Sequence, residues 1–260
     1  MSYHTLMRIV ILLIIISCLA IVAFVNVPKK GENNLLKKGF TVIELFTSEG
    51  CSSCPAADAL VAKIQEEQKN EPVYILAYHV DYWDKLGWKD IFSNKDYTIR
   101  QMDYAHSLHL NGVYTPQIVV NGTKEFIGSE ESTLRNAIKF NIDQPINNTL
   151  ILSDIKLIKH SISINYQAGG NISNSNIIVA LIQKSAQSRV KGGENNGRSL
   201  SHIQIVRELN IQPLNNKGEG VTSINIPQGL NVMECEIISF LQNTHTGRII
   251  AASKGIIEKL

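Results

Sequence analysis

Hydrophobic side chains form one long run near the N-terminus and short, regularly spaced runs after it. The long run covers residues 9–27, where only Ser17, Cys18 and Asn26 interrupt it, and no acidic residue occurs before Glu32. About 20 apolar residues are enough to cross the hydrocarbon core of a bilayer. The pattern therefore predicts that residues 1–30 are a signal peptide or an N-terminal membrane anchor.

Three fates of this segment remain open. The segment can stay as an uncleaved anchor, it can be cut after Ala20, or it can be lipidated at Cys18, which ends a short lipoprotein-like box. Lys29 and Lys30 count slightly against export, because cytoplasmic flanks usually carry the excess of basic residues. All three fates place the rest of the chain outside the cytoplasm, where disulfides persist.

Residues 38–143 alternate between strand and helix patterns. Strands are predicted at 40–46 and 73–79, helices at 55–69, 96–109 and 132–140, and a hairpin at 117–127 around Asn121 and Gly122. In the second helix, Ile99, Met102, Ala105 and Leu108 share one face, which predicts that this face is buried. The order of elements indicates an α/β domain with a mixed sheet.

Residues 149–260 have a different pattern. Seven short alternating segments, separated by loops rich in Gly, Asn and Ser, predict an antiparallel, sandwich-like all-β domain. The boundary is expected in the polar stretch 141–148. This second region shows no spacing of a nucleophile and a base, so we expect it to position partners without taking part in chemistry. Glu194, Arg198, His202 and Arg207 are expected to form a polar cluster that fixes a loop.

Composition narrows the function. The chain has 260 residues, 44% of them hydrophobic and 18% charged, with a net charge of +2. This balance indicates a folded protein and argues against nucleic-acid binding that depends on phosphate neutralisation.

Cys51 and Cys54 are placed where a buried strand ends and a helix begins. Backbone N–H groups and the helix dipole at such a position stabilise a thiolate, the nucleophile of disulfide exchange. Cys51 is then the attacking residue, and Cys54 resolves the mixed disulfide. An inert structural disulfide and half of a metal site are the alternatives.

Other candidates lie at strand ends. Glu44, a buried acid seven residues before Cys51, is a candidate proton relay or an acid satisfied within the sheet. His79 and Asp81 end the second strand, where they can orient a substrate, anchor a loop or, for His79 with the two cysteines, hold copper. Trp83 and Trp88 are expected to pack the loop that follows.

Four blocks of the chain resemble one bacterial family of secreted, thioredoxin-like proteins known as a domain of unknown function. They are VIELFTSEGCSSCPAAD (42–58), AYHVDYWDKLGWKD (77–90), YTPQIVVNG (114–122) and GENNGRSLSHIQIVR (193–207). The resemblance implies a thioredoxin-like fold followed by a β domain. It also implies a cis Pro116, preceded by Thr115, packed beside Cys51 and Cys54.

The sequence thus favours an extracytoplasmic thiol–disulfide oxidoreductase that needs no cofactor and acts on protein thiols or disulfides. It contacts the membrane only through the N-terminal segment, if that segment is uncleaved. Two alternatives are a copper-handling thioredoxin-like module and a non-catalytic binding protein with a structural disulfide.

Overall fold

The computed structural model describes residues 38–257. Residues 38–143 contain, in order, β1 (Thr41–Thr47), α1 (Cys54–Glu67), β2 (Val73–His79), α2 (Lys95–Ser107), β3 (Gln117–Val120), β4 (Lys124–Ile127) and α3 (Glu131–Ile142). The remaining strands are β5 (Thr149–Ile158), β6 (Ser161–Gly169), β7 (Ser175–Arg189), β8 (Ser199–Pro213), β9 (Glu219–Asn225), β10 (Cys235–Asn243) and β11 (Ile249–Gly255).

The strands form one large mixed sheet and one small antiparallel sheet. The large sheet has eight strands in the order β11-β10-β7-β8-β2-β1-β3-β4, and the small sheet has the order β5-β6-β9. β1 pairs in parallel with β2 and antiparallel with β3. The prediction of an α/β protein with a mixed sheet is therefore confirmed.

The large sheet continues across the predicted domain boundary. β8 pairs in parallel with β2 where Ile205 lies opposite Ala77. Four of the strands after residue 148 extend the large sheet, and the other three form the small one. The α/β elements and the later strands consequently share one backbone hydrogen-bond network.

Alternation along β1 divides the core into two layers. Ile43 and Leu45 face α1 and α3 in one hydrophobic cluster. Val42 and Phe46 face the opposite side, where they share a cluster with α2 and with strands β7, β8 and β10. A third cluster joins the small sheet to β7, β10 and β11. Because side chains alternate along a strand, Glu44 necessarily points away from α1.

The predicted buried face of α2 is wrong for its first two residues, although Ala105 is buried as expected. Ile99 and Met102 are 45% and 52% exposed, whereas Arg100 and Tyr104 are buried. The reason is that α2 packs on the layer that contains Glu44, so its inner face carries polar partners for that carboxylate. An amphipathicity argument based on apolar residues alone orients the helix incorrectly.

The predicted hairpin is confirmed. β3 and β4 pair antiparallel, and the turn between them has Asn121 at φ 47° and Gly122 at φ 67°. Consecutive positive φ angles are what an Asn-Gly hairpin turn requires. The Asn121 side chain accepts from the Val42 N–H at 2.7 Å, which ties this turn to β1.

The predicted signal peptide or anchor lies outside the described residues. Of the helices between residues 38 and 257, none is both long enough and apolar enough to cross a membrane.

Candidate functional site

Cys51 and Cys54 form a disulfide at the start of α1. Their Cα atoms lie 5.4 Å apart, and both side chains are buried. The two serines between them are exposed, and the Ser53 hydroxyl lies 3.3 Å from Cys51 Sγ. Pro55 follows at the beginning of the helix, where its missing N–H leaves no hydrogen bond unmade. The motif therefore has its two serine residues at the surface and its two cysteine side chains in the interior.

Pro116 lies beside the start of α1, and the Thr115–Pro116 peptide bond is cis. A Cβ built on Gly128 would lie 3.0 Å from both Pro116 Cβ and Ala57 Cβ, so this glycine lets the end of β4 pack between the proline and the helix. The Thr115 hydroxyl accepts a hydrogen bond from Trp83 Nε1 at 2.8 Å. The structure thus places Pro116 close to Ala57 in the first turn of α1, and ties Thr115 to the loop after β2.

The loop 190–198 between β7 and β8, which we call the hairpin loop, contacts the backbone of the motif. Asn195 is completely buried, and its Nδ2 donates to the backbone carbonyls of Glu49 and Cys51, each at 2.9 Å. Glu194 accepts from the Ser52 N–H at 2.9 Å. Cys51 itself is only 1% exposed. The hairpin loop of the second region thus binds the backbone of the motif.

His79 lies beneath the motif and forms a buried pair with Asp90. Its Nδ1 lies 2.6 Å from Asp90 Oδ2, and neither side chain is exposed. The same carboxylate accepts from the backbone N–H groups of Glu49 and Phe92, both at 2.8 Å. Asp90 therefore fixes the imidazole ring and the two loops on either side of it.

Three further ionisable side chains lie next to this pair. His202, from β8, packs its ring against His79 with centroids 4.9 Å apart. Its Nε2 lies 3.4 Å from Glu49 Oε1, and its Nδ1 lies 4.0 Å from Asp58 Oδ2. Asp58 is on α1 and accepts from the Thr47 hydroxyl at 3.1 Å. We call Glu49, Asp58, His79, Asp90 and His202 the cysteine-side cluster; all five are buried.

The titration of this cluster is shifted by burial and by mutual charge. Burial raises the pKa of Asp58, although His79 and His202 partly oppose that effect. Burial alone would lower the pKa of His79, but the Asp90 carboxylate outweighs it, so the pKa is raised. Burial would likewise raise the pKa of Asp90, yet His79 and the hydrogen bonds to this carboxylate lower it. His79 and Asp90 consequently form an ion pair, while Asp58 retains a proton more readily than an ordinary aspartate.

The cysteine-side cluster contains polar atoms that lack partners. Within residues 38–257, Glu49 Oε1, His79 Nε2 and His202 Nδ1 are buried and make no hydrogen bond. Such atoms are rare in folded proteins and call for an explanation. Across the same part of the chain, no group of three His, Cys, Asp or Glu side chains is arranged to hold a metal ion. The alternative in which Cys51, Cys54 and His79 bind copper therefore gains no geometric support.

Glu44 lies on the other face of the sheet. Its carboxylate accepts from Arg100 Nε at 2.5 Å and from Arg100 Nη2 at 2.9 Å, and from the Tyr104 hydroxyl. Gln242 Oε1 accepts from Arg100 Nη1 at 3.3 Å. We call Glu44, Arg100, Tyr104 and Gln242 the Glu44 cluster. The structure does not bring Glu44 together with the cysteines, because strand alternation directs it toward α2.

The remaining sequence candidates hold loops in place. Asp81 accepts from the Thr98 hydroxyl at 2.5 Å, which ties the loop after β2 to α2. Trp88 donates from Nε1 to Glu49 Oε2 at 2.6 Å. Arg198 binds the side chain of Asn195 at 2.8 Å, and Arg207 stacks over Phe92. The predicted polar cluster of the second region is thus divided between the hairpin loop and β8.

Sequence reasoning missed Glu49, Asp58, Asp90 and Asn195. One signal was available for Asp58, since it follows Cys54 by four residues and shares the buried helix face with Ala57 and Val61. The other three lie in loops, and their positions depend on contacts across the fold. All four lie within the sequence blocks that carry the family resemblance.

Comparisons with known proteins identify the family and no activity. A family model described as "Protein of unknown function (DUF1223)" matches residues 42–242, so the chain belongs to this family. No curated protein matches the chain. The chain is similar to the crystal structure of protein AGR_C_4864 from Agrobacterium tumefaciens, with 26% identity and a TM-score of 0.65. That similarity covers 85% of this chain and 95% of the other one.

Proposed function

We propose that this protein is an extracytoplasmic thiol–disulfide oxidoreductase whose α/β region is thioredoxin-like. Its substrates are protein thiols or disulfides, Cys51 exchanges with them, and Cys54 resolves the mixed disulfide. The observation that carries the proposal is the Cys51–Cys54 disulfide at the start of α1, where Pro116 lies close to the first turn of the helix.

The connectivity of residues 38–143 supports the thioredoxin-like assignment. A strand, the cysteine motif and a helix are followed by a parallel strand, a second helix, an antiparallel hairpin and a third helix. In this order the motif lies at the carboxyl end of β1, the edge at which α/β proteins place their ligand sites. The resemblance of the sequence blocks to a thioredoxin-like family points the same way.

The chemistry follows from the positions of the two sulfur atoms. A partner thiolate attacks Cys51 Sγ, the bond between the cysteines breaks, and Cys54 leaves with the electron pair. A second partner thiolate then attacks the partner sulfur of the mixed disulfide and releases Cys51 as a thiolate. The partner dithiol is oxidised and the protein disulfide is reduced; the reverse sequence oxidises the protein's dithiol.

The burial of Cys51 favours a second candidate function. A buried disulfide whose backbone is held by the hairpin loop is also what a structural disulfide would show. The second candidate is therefore a binding protein whose disulfide is inert. The reduction potential separates the two, because structural disulfides have potentials below about −300 mV. Under the proposed function, the potential lies above that value, and a partner displaces the hairpin loop from Ser52.

The location rests on the N-terminal pattern together with the disulfide. An apolar run that suits a signal peptide or an anchor, followed by a disulfide, is typical of exported proteins. A cysteine-reactive reagent that cannot cross the inner membrane is expected to label the reduced protein in intact cells. Labelling only after the cells are broken would place Cys51 in the cytoplasm.

Trapping of a mixed disulfide tests the mechanism. In a background with Cys18→Ser and Cys235→Ser, the reduced Cys54→Ser variant is incubated with glutathione disulfide. We expect a stable adduct of one glutathione through Cys51, because the resolving thiol is absent. The matched Cys51→Ser variant is expected to accumulate little adduct, since Cys54 belongs to the helix, whereas Cys51 precedes it. Mass spectrometry measures both.

A further substitution examines the proline. In the proposed mechanism the proline aligns an incoming thiol with the attacked sulfur, so Pro116→Thr, combined with Cys54→Ser, is expected to prolong the glutathione adduct. Equal adduct formation by both single-cysteine variants would contradict the assigned roles. Absence of adducts in either variant, with a potential below about −300 mV, would leave the structural disulfide as the function.

A further inference from the structure

The cysteine-side cluster places a proton-binding carboxyl group next to the resolving cysteine. We propose that Asp58 accepts the proton of Cys54 when this thiol resolves a mixed disulfide, and returns it when Cys54 leaves, and that His202 orients Asp58. The inference rests on the proposed function and adds to it the group that moves the proton.

Helix geometry brings Asp58 to Cys54. The two residues are four apart in α1, so they lie on the same face of the helix, with Cβ atoms about 6 Å apart. Both side chains are buried, so bulk water has no ready access to either. A thiol in such surroundings must give its proton to a nearby group, since the thiolate is the species that attacks.

Three other buried carboxylates near the motif or on β1 are held by other groups. Glu44 lies on the opposite face of the sheet, with both of its oxygens bound to Arg100. Glu49 accepts from Trp88 Nε1 and lies on the far side of the His202 ring from Asp58. Asp90 holds the His79 ring and two backbone N–H groups. Asp58 is the carboxylate of the cluster that shares a helix face with Cys54.

The surroundings of Asp58 suit reversible protonation. Burial raises its pKa, and His79, His202 and the Thr47 hydroxyl oppose this only in part, so Asp58 binds a proton more readily than an ordinary aspartate. His202 Nδ1 is buried without a hydrogen-bond partner, 4.0 Å from Asp58 Oδ2. A donor poised beside an oxygen that changes charge explains this unpartnered nitrogen. The groups that face Asp58 come from β1, β2, the loop after β2, and β8.

The proton balance is complete for oxidation of the dithiol. Cys51 thiolate attacks a disulfide, forms the mixed disulfide and releases the first thiolate of the partner. Cys54 then transfers its proton to the Asp58 carboxylate and attacks Cys51 Sγ, and the second thiolate leaves. In the reduction of the protein's disulfide, Asp58 gives the proton back to Cys54 as this sulfur leaves.

The test separates the two sulfur steps. The reduced full-length protein, in the Cys18→Ser and Cys235→Ser background, is mixed with one equivalent of dithiobis(nitrobenzoate), which releases one coloured thiolate in each step. Asp58→Asn is expected to leave the first phase unchanged and to slow the second by about 100-fold, the usual contribution of a general base. Glu66→Gln, an exposed acid on the same helix, is the control.

The pH profile of the second phase carries further information. In the unaltered protein, its rate is expected to rise through the raised pKa of Asp58 and then level off, because the carboxylate is the base. In Asp58→Asn, the rate is expected to increase only toward alkaline pH, where Cys54 ionises without help. His202→Gln, which keeps a polar group in this position, is expected to shift the pH profile of the second phase, because it changes the pKa of Asp58. The first phase should stay the same.

Two outcomes would overturn the inference. A second phase with the same rate and pH profile in Asp58→Asn and in the parent protein would show that the proton goes elsewhere. Equal slowing of both phases in folded variants would show that Asp58 only supports the structure. Loss of the first phase in the parent protein itself is a different result, because it would contradict the proposed function and not this addition to it.

Discussion

Two buried charge clusters lie on opposite faces of β1, and they differ in how completely their atoms are paired. In the Glu44 cluster, both oxygens of the carboxylate and all three guanidinium nitrogens have partners. The cysteine-side cluster leaves three buried polar atoms without a hydrogen bond among the described residues. A fully paired network stabilises one conformation, whereas an incompletely paired one costs stability, and such costs concentrate at functional sites.

Both clusters also join the two parts of the chain. Gln242 of β10 completes the Glu44 cluster, and His202 of β8 completes the cysteine-side cluster. Continuation of the large sheet through β8 brings both residues into place. The later strands are therefore part of the candidate site. Variants of the Glu44 cluster test what these strands contribute to stability, and variants of the cysteine-side cluster test what they contribute to the chemistry.

The largest expected effect comes from breaking the paired cluster. Arg100→Met leaves the Glu44 carboxylate buried without its partner, and this should reduce the free energy of unfolding by about 3–5 kcal/mol. Urea denaturation measures the loss. The double variant Glu44→Leu with Arg100→Met is the matched control, because removal of both charges should recover part of it.

The thiol reactivity of Arg100→Met tests whether the Glu44 cluster affects the chemistry as well as the stability. Once folded at low temperature, Arg100→Met is expected to retain both phases of the reaction with dithiobis(nitrobenzoate). A change of less than about 1 kcal/mol in unfolding would contradict the structural role of the Glu44 cluster.

An intermediate effect is expected from Asp90, the paired member of the cysteine-side cluster. Asp90→Asn removes a charged acceptor from His79 and from two loop N–H groups, which should cost about 2 kcal/mol. The loss should depend on pH. Because the pKa of His79 is raised, its contribution is complete below its unfolded pKa and disappears as the pH rises through the folded value.

Thermal unfolding from mildly acidic to mildly alkaline pH checks this dependence. The difference between Asp90→Asn and the parent protein should be greatest below the unfolded pKa of His79 and should shrink above its raised pKa. On the acid side, the contribution of Asp90 should persist until the pH falls through its lowered pKa. A difference that does not vary with pH would mean that His79 and Asp90 are not an ion pair.

The contrast between the clusters also explains what sequence could predict. Strand and helix positions in residues 38–143, the Asn121–Gly122 turn and the location of the disulfide follow from local patterns, and the structure has them. The orientation of α2 does not, because the side chains that bury Arg100 and Tyr104, Glu44 among them, are distant in sequence. A hydrophobic pattern has no means of identifying a buried polar face.

The candidate site was predictable where its geometry is local. Cys51, Cys54 and Pro116 belong to short motifs, and Asp58 could have been found from its spacing to Cys54. The joining of the two regions could not, since pairing of β8 with β2 depends on one long-range bridge at Ala77. Asn195 contacts the backbone of Cys51, and His202 contacts Glu49 and Asp58, so a boundary drawn from composition separates both residues from the motif.

The smallest expected effect is a gain in stability, opposite in sign to the losses expected for Arg100→Met and Asp90→Asn. Asp58→Asn should increase the free energy of unfolding by about 1 kcal/mol at neutral pH, because a residue kept for function commonly costs stability of this size. The sign follows from linkage: burial raises the folded pKa of Asp58, so its ionisation destabilises the folded state as the pH rises through that value. The stability advantage of Asp58→Asn should therefore be least in acid and grow toward neutral pH.

Urea titrations at several pH values measure this advantage, with Glu66→Gln as the exposed control. A variant that is less stable at every pH would show that Asp58 serves the fold in the way Glu44 does, and the difference between the two clusters would then be one of degree.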